Sequence, residues 1–130
     1  MVNIQVGLLI PLSFIYGGWD NNFSATENTD PTDVYILTLP AFRWIRVTGS
    51  APPRAGSRCQ IVGKRQMLSV GGFDPTSSAE YTPADPWTYG LGIFDMTDLS
   101  WGPHYNANAA PYVRSNAVNN YYAKKYVPYL

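Results

Sequence analysis

The side chains in this sequence with the most chemical potential are carboxylates set among aromatic rings. Asp20, Glu27 and Asp30 fall in one stretch and Asp74, Glu80 and Asp85 in another, and neither stretch holds a lysine or an arginine. Trp19, Tyr81, Trp87 and Tyr89 accompany the carboxylates, while Arg54 and Arg58 lie in or beside the segment between the two stretches. Acidic groups beside ring faces can hold a basic or polar partner, or a sugar through stacking. A pair of carboxylates can also cleave a glycosidic bond, but only at a separation that sequence does not measure.

Other reactive chemistry is sparse. The 130 residues include one histidine, His104, and one cysteine, Cys59. A single histidine cannot build a histidine-based metal cluster, and a single cysteine cannot close an internal disulfide. No Ser-His-Asp grouping, phosphate-binding glycine loop or paired-histidine spacing occurs. No catalytic residue, cofactor or metal site is therefore expected. His104 reads as a surface side chain and Cys59 as a small hydrophobe, with Arg54 and Arg58 the only hint of the electropositive setting that a reactive thiol needs. Nine basic and nine acidic residues balance to a net charge of zero. Without a basic surplus to neutralise phosphates, nucleic acid is not an expected partner.

Two features bear on compartment without naming one. Asn22-Phe23-Ser24 is an N-glycosylation sequon, which matters only if the chain is secreted. The apolar run within residues 1–18 lacks a basic leader and a small-x-small cleavage site, and it is too short to span a bilayer. It reads as a buried strand with its lead-in, and no other segment is apolar enough to cross a membrane.

The elements that must position these residues are strands. Hydrophobic residues make up 45% and aromatics 15%, with 11 glycines and 11 prolines in no collagen-like period, which together indicate an all-β chain rich in turns. The sequence also repeats itself. FIYGGWD (14–20) and LSVGGFD (68–74) share one pattern, with Gly17 and Gly71 separated by 54 positions. VYILTLPAFRW (34–44) matches LGIFDMTDLSW (91–101) at a separation of 57, which pairs Ile36 with Ile93, Leu37 with Phe94, Phe42 with Leu99 and Trp44 with Trp101. A period near fifty residues built of strands suggests a propeller blade.

In the second repeat, strands are expected at 58–62, 66–71, 91–96 and around Trp101. In the first they are expected at 13–16, 33–39 and 43–47. The chain then divides into a first blade at 1–57, incomplete at its N-terminus, a second at 58–111, and the truncated start of a further blade at 112–130, with a strand within 112–122. An uncovered apolar edge there would invite pairing with another chain.

These features resemble the kelch repeat. The glycine pairs Gly17–Gly18 and Gly71–Gly72, DVYILTL with its downstream ring, and Trp44 and Trp101 at the kelch tryptophan position carry the likeness. PPRAGSRC (52–59) stands where kelch repeats have Pro-Arg-x-Gly-His, with Ser57 in place of the histidine. The wording is most similar to kelch-repeat proteins of filamentous fungi, which implies a cell-surface or secreted setting. Cys59 has no cysteine partner, unlike many such relatives. The architecture is shared with the central domain of galactose oxidase, whose copper site needs two histidines. With His104 alone, oxidase chemistry is not expected.

The resemblance implies a kelch-type propeller segment of about two four-stranded blades, not a closed propeller by itself. Alternating strands put the short turns 40–42, 63–65 and 97–99 at one end. The long connections 19–32, 48–57, 73–89 and 106–111 then fall at the other, where binding usually resides. The candidate binding face is accordingly Trp19, Asp20, Asp30, Arg54, Asp74, Tyr81, Asp85 and Trp87. The expected role is a non-catalytic protein-interaction module using that face. A carbohydrate-binding surface protein is the alternative, and a catalytic fragment ranks third.

Overall fold

The computed structural model describes residues 1–6, 10–18, 32–77 and 84–125. Among them, two four-stranded antiparallel sheets follow one another along the chain, each with its strands in sequential order. The first sheet is β1 (Val2–Val6), β2 (Ile10–Tyr16), β3 (Val34–Thr38) and β4 (Arg43–Val47). The second is β5 (Arg58–Val62), β6 (Gln66–Val70), β7 (Leu91–Asp95) and β8 (Ser100–Gly102). A helix, α1 (Asn116–Lys125), follows. The first strands of the two sheets, β1 and β5, adjoin each other, and the sheets stack face to face without closing into a ring.

Cross-strand partners share a sheet face, so the register shows which face each repeat buries. In the first sheet Phe14, Ile36 and Ile45 lie abreast, as do Tyr16, Val34 and Val47. In the second, Met67, Phe94 and Trp101 lie abreast. These two rows meet. Phe14, Val34, Ile36, Met67, Phe94 and Met96 are almost wholly buried in one continuous core, and Phe14 and Phe94 pack with ring centroids 6.4 Å apart.

The repeat persists in the backbone. The Leu39 N–H donates to the Pro11 carbonyl at 3.0 Å, and its counterpart, the Met96 N–H, donates to the Arg65 carbonyl at 3.0 Å. The turns into the fourth strands place Phe42 and Leu99 at φ 50° and 54°, unusual for residues with a side chain. The glycine pairs are explained by the segment 48–57, which crosses beside both of them. The Gly18 N–H donates to the Arg54 carbonyl at 2.8 Å, and Ala55 and Phe73 exchange backbone bonds of 2.8 and 3.0 Å. A Cβ on Gly72 would sit 2.7 Å from the Ala55 carbonyl oxygen, and φ there is 86°. Only glycine meets both demands.

Three expectations need correction. The first repeat is not short of a strand, because Val2–Val6 pairs with β2 along its whole length. The strand expected within 112–122 is instead an extended segment leading into α1. Ser115 opens the helix, its hydroxyl accepting from the Val118 N–H at 3.4 Å and its carbonyl from the Asn119 N–H at 3.0 Å. Val118 and, one turn later, Tyr122 pack on the core. Finally, residues 106–111 do not belong with the long loops. Asn106 donates its N–H to the Gln66 side chain and accepts from it, both at 2.8 Å, and the Val113 N–H donates to the Thr97 hydroxyl at 3.0 Å. Gln66 and Thr97 both sit at the short-turn end, so the chain leaves β8 and doubles back there.

Candidate functional site

Three of the eight candidate binding residues converge at the long-loop end. Arg54, on the segment joining the sheets, is buried, yet its guanidinium grips Asp85 with both terminal nitrogens, Nη1 to Oδ2 at 2.8 Å and Nη2 to Oδ1. The same guanidinium lies 4.7 Å from the centroid of the Trp87 ring. Asp85 also accepts from the Trp87 N–H at 2.8 Å, which ties carboxylate and ring into one short turn. A planar guanidinium satisfies a carboxylate fork and a ring face together, which an ammonium does not.

Trp87 owes its position to a glycine. Its ring covers Gly92 on β7 so closely that a Cβ there would fall within 2.6 Å of three ring carbons. It continues a chain of aromatics from sheet to sheet: Trp87 to Trp101 at 4.9 Å, Trp101 to Tyr16 at 4.6 Å, and Trp101 to Phe94 at 5.1 Å between centroids. The Tyr16 hydroxyl donates to the Pro52 carbonyl, fastening the crossing segment to the first sheet.

The electrostatics follow from these contacts. The hydrogen bonds from Arg54 hold the Asp85 carboxyl below the usual carboxylate range despite some desolvation. The same bonds raise Arg54 further, outweighing its burial. Burial pushes the Tyr16 hydroxyl well above an ordinary tyrosine, and moves Tyr112 up to about 12. Burial also raises the half-buried Cys59 thiol, which disfavours the reactive thiolate.

Asp74 stands apart from this cluster. Its carboxylate accepts from the Thr76 N–H at 2.8 Å and the Thr76 hydroxyl at 2.6 Å, closing a local turn. Trp19, Asp20, Asp30, Tyr81 and the sequon residue Asn22 lie outside the described residues, as do Glu27 and Glu80. Among the described residues no group of three or more His, Cys, Asp and Glu is placed to hold a metal ion, and no helix is long and apolar enough to cross a membrane.

Two exposed rings fall outside the eight candidate binding residues: Tyr89, which the sequence places beside the carboxylates, and Phe73. Tyr89 is 92% exposed at φ 56°, and Phe73 is half exposed beside Gly56. The signal for Tyr89 was available, since Tyr89-Gly90 ends a proline-bounded loop, as an exposed turn residue would.

The comparisons with known proteins agree with this architecture. Over 98 residues, 72% of its length, the chain is 31% identical to a Kelch repeat-containing protein of the filamentous fungus Arthroderma benhamiae. The chain belongs to the kelch-repeat family. It spans about 14% of the length of that relative. No family model and no solved structure matches it. As a kelch chain, it places the family's glycine pairs against the crossing segment. One kelch tryptophan, Trp101, lies between the sheets, and the other, Trp44, lies open on the surface. Arg54 of the PPRAGS stretch ties the crossing segment to the β6–β7 connection through Asp85.

Proposed function

We propose that this kelch chain is a non-catalytic protein-binding module that engages its partner through the long-loop end. The observation that carries this reading is Tyr89, a large ring almost fully in solvent, held at positive φ on a braced turn. The Gly90 N–H donates to the Trp87 carbonyl at 3.0 Å and the Gly71 N–H to the Gly90 carbonyl at 2.9 Å. A rigidly presented aromatic is the side chain that most often anchors protein interfaces. Phe73 adds a second exposed ring at the same end, anchored by its bridge to Ala55. Asp85 and Trp87 support this end from beneath, since both are engaged with Arg54.

Tyr89→Gly is the informative variant, because it removes the ring while freeing the positive φ, so the fold is undisturbed. Labelled chain is applied to a protein array and a glycan array, alongside Tyr89→Gly and Phe73→Ala. The expected result is a small set of protein ligands weakened about tenfold or more in both variants. Protein binding indifferent to both substitutions would overturn the reading, and glycan binding lost with Tyr89→Gly would replace it with the carbohydrate alternative.

A further inference from the structure

Asp85 and Trp87 meet their surroundings in the way a bound ligand meets a site. The Asp85 carboxylate fills the fork between the two terminal nitrogens of Arg54, and the Trp87 ring fills a slot beside it. The floor of that slot is Gly92 on β7, whose missing side chain leaves the space that the ring takes. Its walls are Trp101 and Tyr16, with ring centroids 4.9 and 5.8 Å from that of Trp87, and the Arg54 guanidinium at 4.7 Å.

The occupant belongs to a loop, whereas the site is built on strands and a buried side chain. Gly92 and Trp101 lie on strands of the second sheet and Tyr16 on β2 of the first, and Arg54 is only 4% exposed. Asp85 and Trp87 stand outside every strand, on the connection between β6 and β7. Trp87 is only partly buried and the Asp85 side chain is 32% exposed, so both are reached from solvent. The occupant also fits incompletely. The Arg54 Nε–H is buried without an acceptor, a cost that Asp85 leaves in place and that a ligand with one more acceptor would remove.

We propose that this slot is a binding site for an aromatic carboxylate, a planar ring and a carboxylate carried on one ligand, and that Asp85 and Trp87 are its tethered resident. A guanidinium takes a carboxylate in its fork and a ring on its face at once. A ligand with the same two groups competes with the loop for the same contacts, and the tether gives the loop the advantage of proximity. The resident therefore masks the site. With the slot open no more than about a tenth of the time, apparent affinity falls about tenfold or more below that of the open slot.

Ligand-observed NMR on the whole chain tests this with indole propionate, with indole propanamide as its uncharged control, and with the peptide acetyl-Asp-Pro-Trp-amide. Asp85→Ala is expected to bind the acid or the peptide at least about tenfold more tightly than wild type, because the competing carboxylate is gone. The gain should vanish when Arg54→Met is added. An ordinary site that uses Asp85 to contact its ligand would instead lose affinity in this variant, so the sign of the change decides. Should Asp85→Ala lose its cooperative β melt, Asp85→Asn replaces it, with the same sign expected. A gain for the peptide assigns the slot to a protein segment, a gain for the free acid alone assigns it to a small molecule, and either supports the site. Affinity unchanged or lowered for both ligands, or the amide bound by Asp85→Ala as tightly as the acid, would overturn the inference. The test involves neither Tyr89 nor Phe73, so it stands or falls apart from the protein-binding reading.

Discussion

Trp44 and Trp101 occupy equivalent positions on β4 and β8, follow turns of the same unusual geometry, and lie opposite equivalent residues, Leu37 and Phe94. Their surroundings could hardly differ more. Trp101 is inserted between the sheets against Tyr16, Trp87 and Phe94, whereas Trp44 is more than half exposed. Phe42 and Leu99 diverge in the same way, the first open to solvent and the second packed on the core. A repeat thus specifies where a side chain points, and its neighbour determines what that side chain contributes.

The largest predicted effect breaks this pairing of equivalents. Trp101→Ala should cost roughly 3–5 kcal/mol, because it opens a cavity in an aromatic stack. The same change at Trp44, 59% exposed, should stay within about 0.5 kcal/mol. Chemical denaturation of both variants measures the difference, and equal losses would mean that the two sheets do not bury opposite faces.

The tie between Arg54 and Asp85 should come next. Arg54→Ala is expected to destabilise the fold by about 2 kcal/mol or more, through loss of the carboxylate fork and the ring contact. Arg54→Lys should recover only part of this, since an ammonium cannot fill the fork. Asp85 adds a pH signature. Its carboxyl titrates below the ordinary value when folded, so its contribution is present above about pH 4 and disappears as pH falls through the lower folded value. The stability gap between wild type and Asp85→Asn should therefore narrow in acid. A gap that stays constant from neutral pH to about pH 2 would mean that Arg54 does not hold Asp85.

The smallest effect sharpens the same comparison at the turns. Phe42→Gly removes a strained φ from an exposed residue and should leave stability unchanged or raise it by up to about 1 kcal/mol. Leu99→Gly relieves the same strain but loses core packing, so it should destabilise. Thermal melts should show Leu99→Gly lowered and Phe42→Gly unchanged or raised.

Much of this was legible in the sequence, for physical reasons. The third and fourth strands of the first repeat and all four of the second fall within a residue or two of expectation, because alternating burial and glycine or proline turns mark them. β1 was missed although Val2-Asn3-Ile4-Gln5-Val6 alternates apolar and polar side chains, because the apolar run that follows it absorbed the segment as a lead-in. The helix was missed because tyrosine and valine favour strands in isolation. The opposing evidence was modest: Ser115 as a cap, and Val118 and Tyr122 four positions apart. The site was only half visible. Sequence brought Arg54 near the acidic loops, yet nothing local pairs it with Asp85, which lies 31 residues away. That pairing brings three of the candidate binding residues into one contact cluster.

The central claim, that equivalent tryptophans face a neighbouring sheet in one repeat and solvent in the other, can be read most directly by fluorine NMR. The chain would carry fluorotryptophan, with resonances assigned through Trp44→Phe and Trp101→Phe. Exchange from light to heavy water should shift the Trp44 resonance strongly and leave that of Trp101 nearly unmoved. Equal shifts for the two rings would contradict the stacking of the sheets described above.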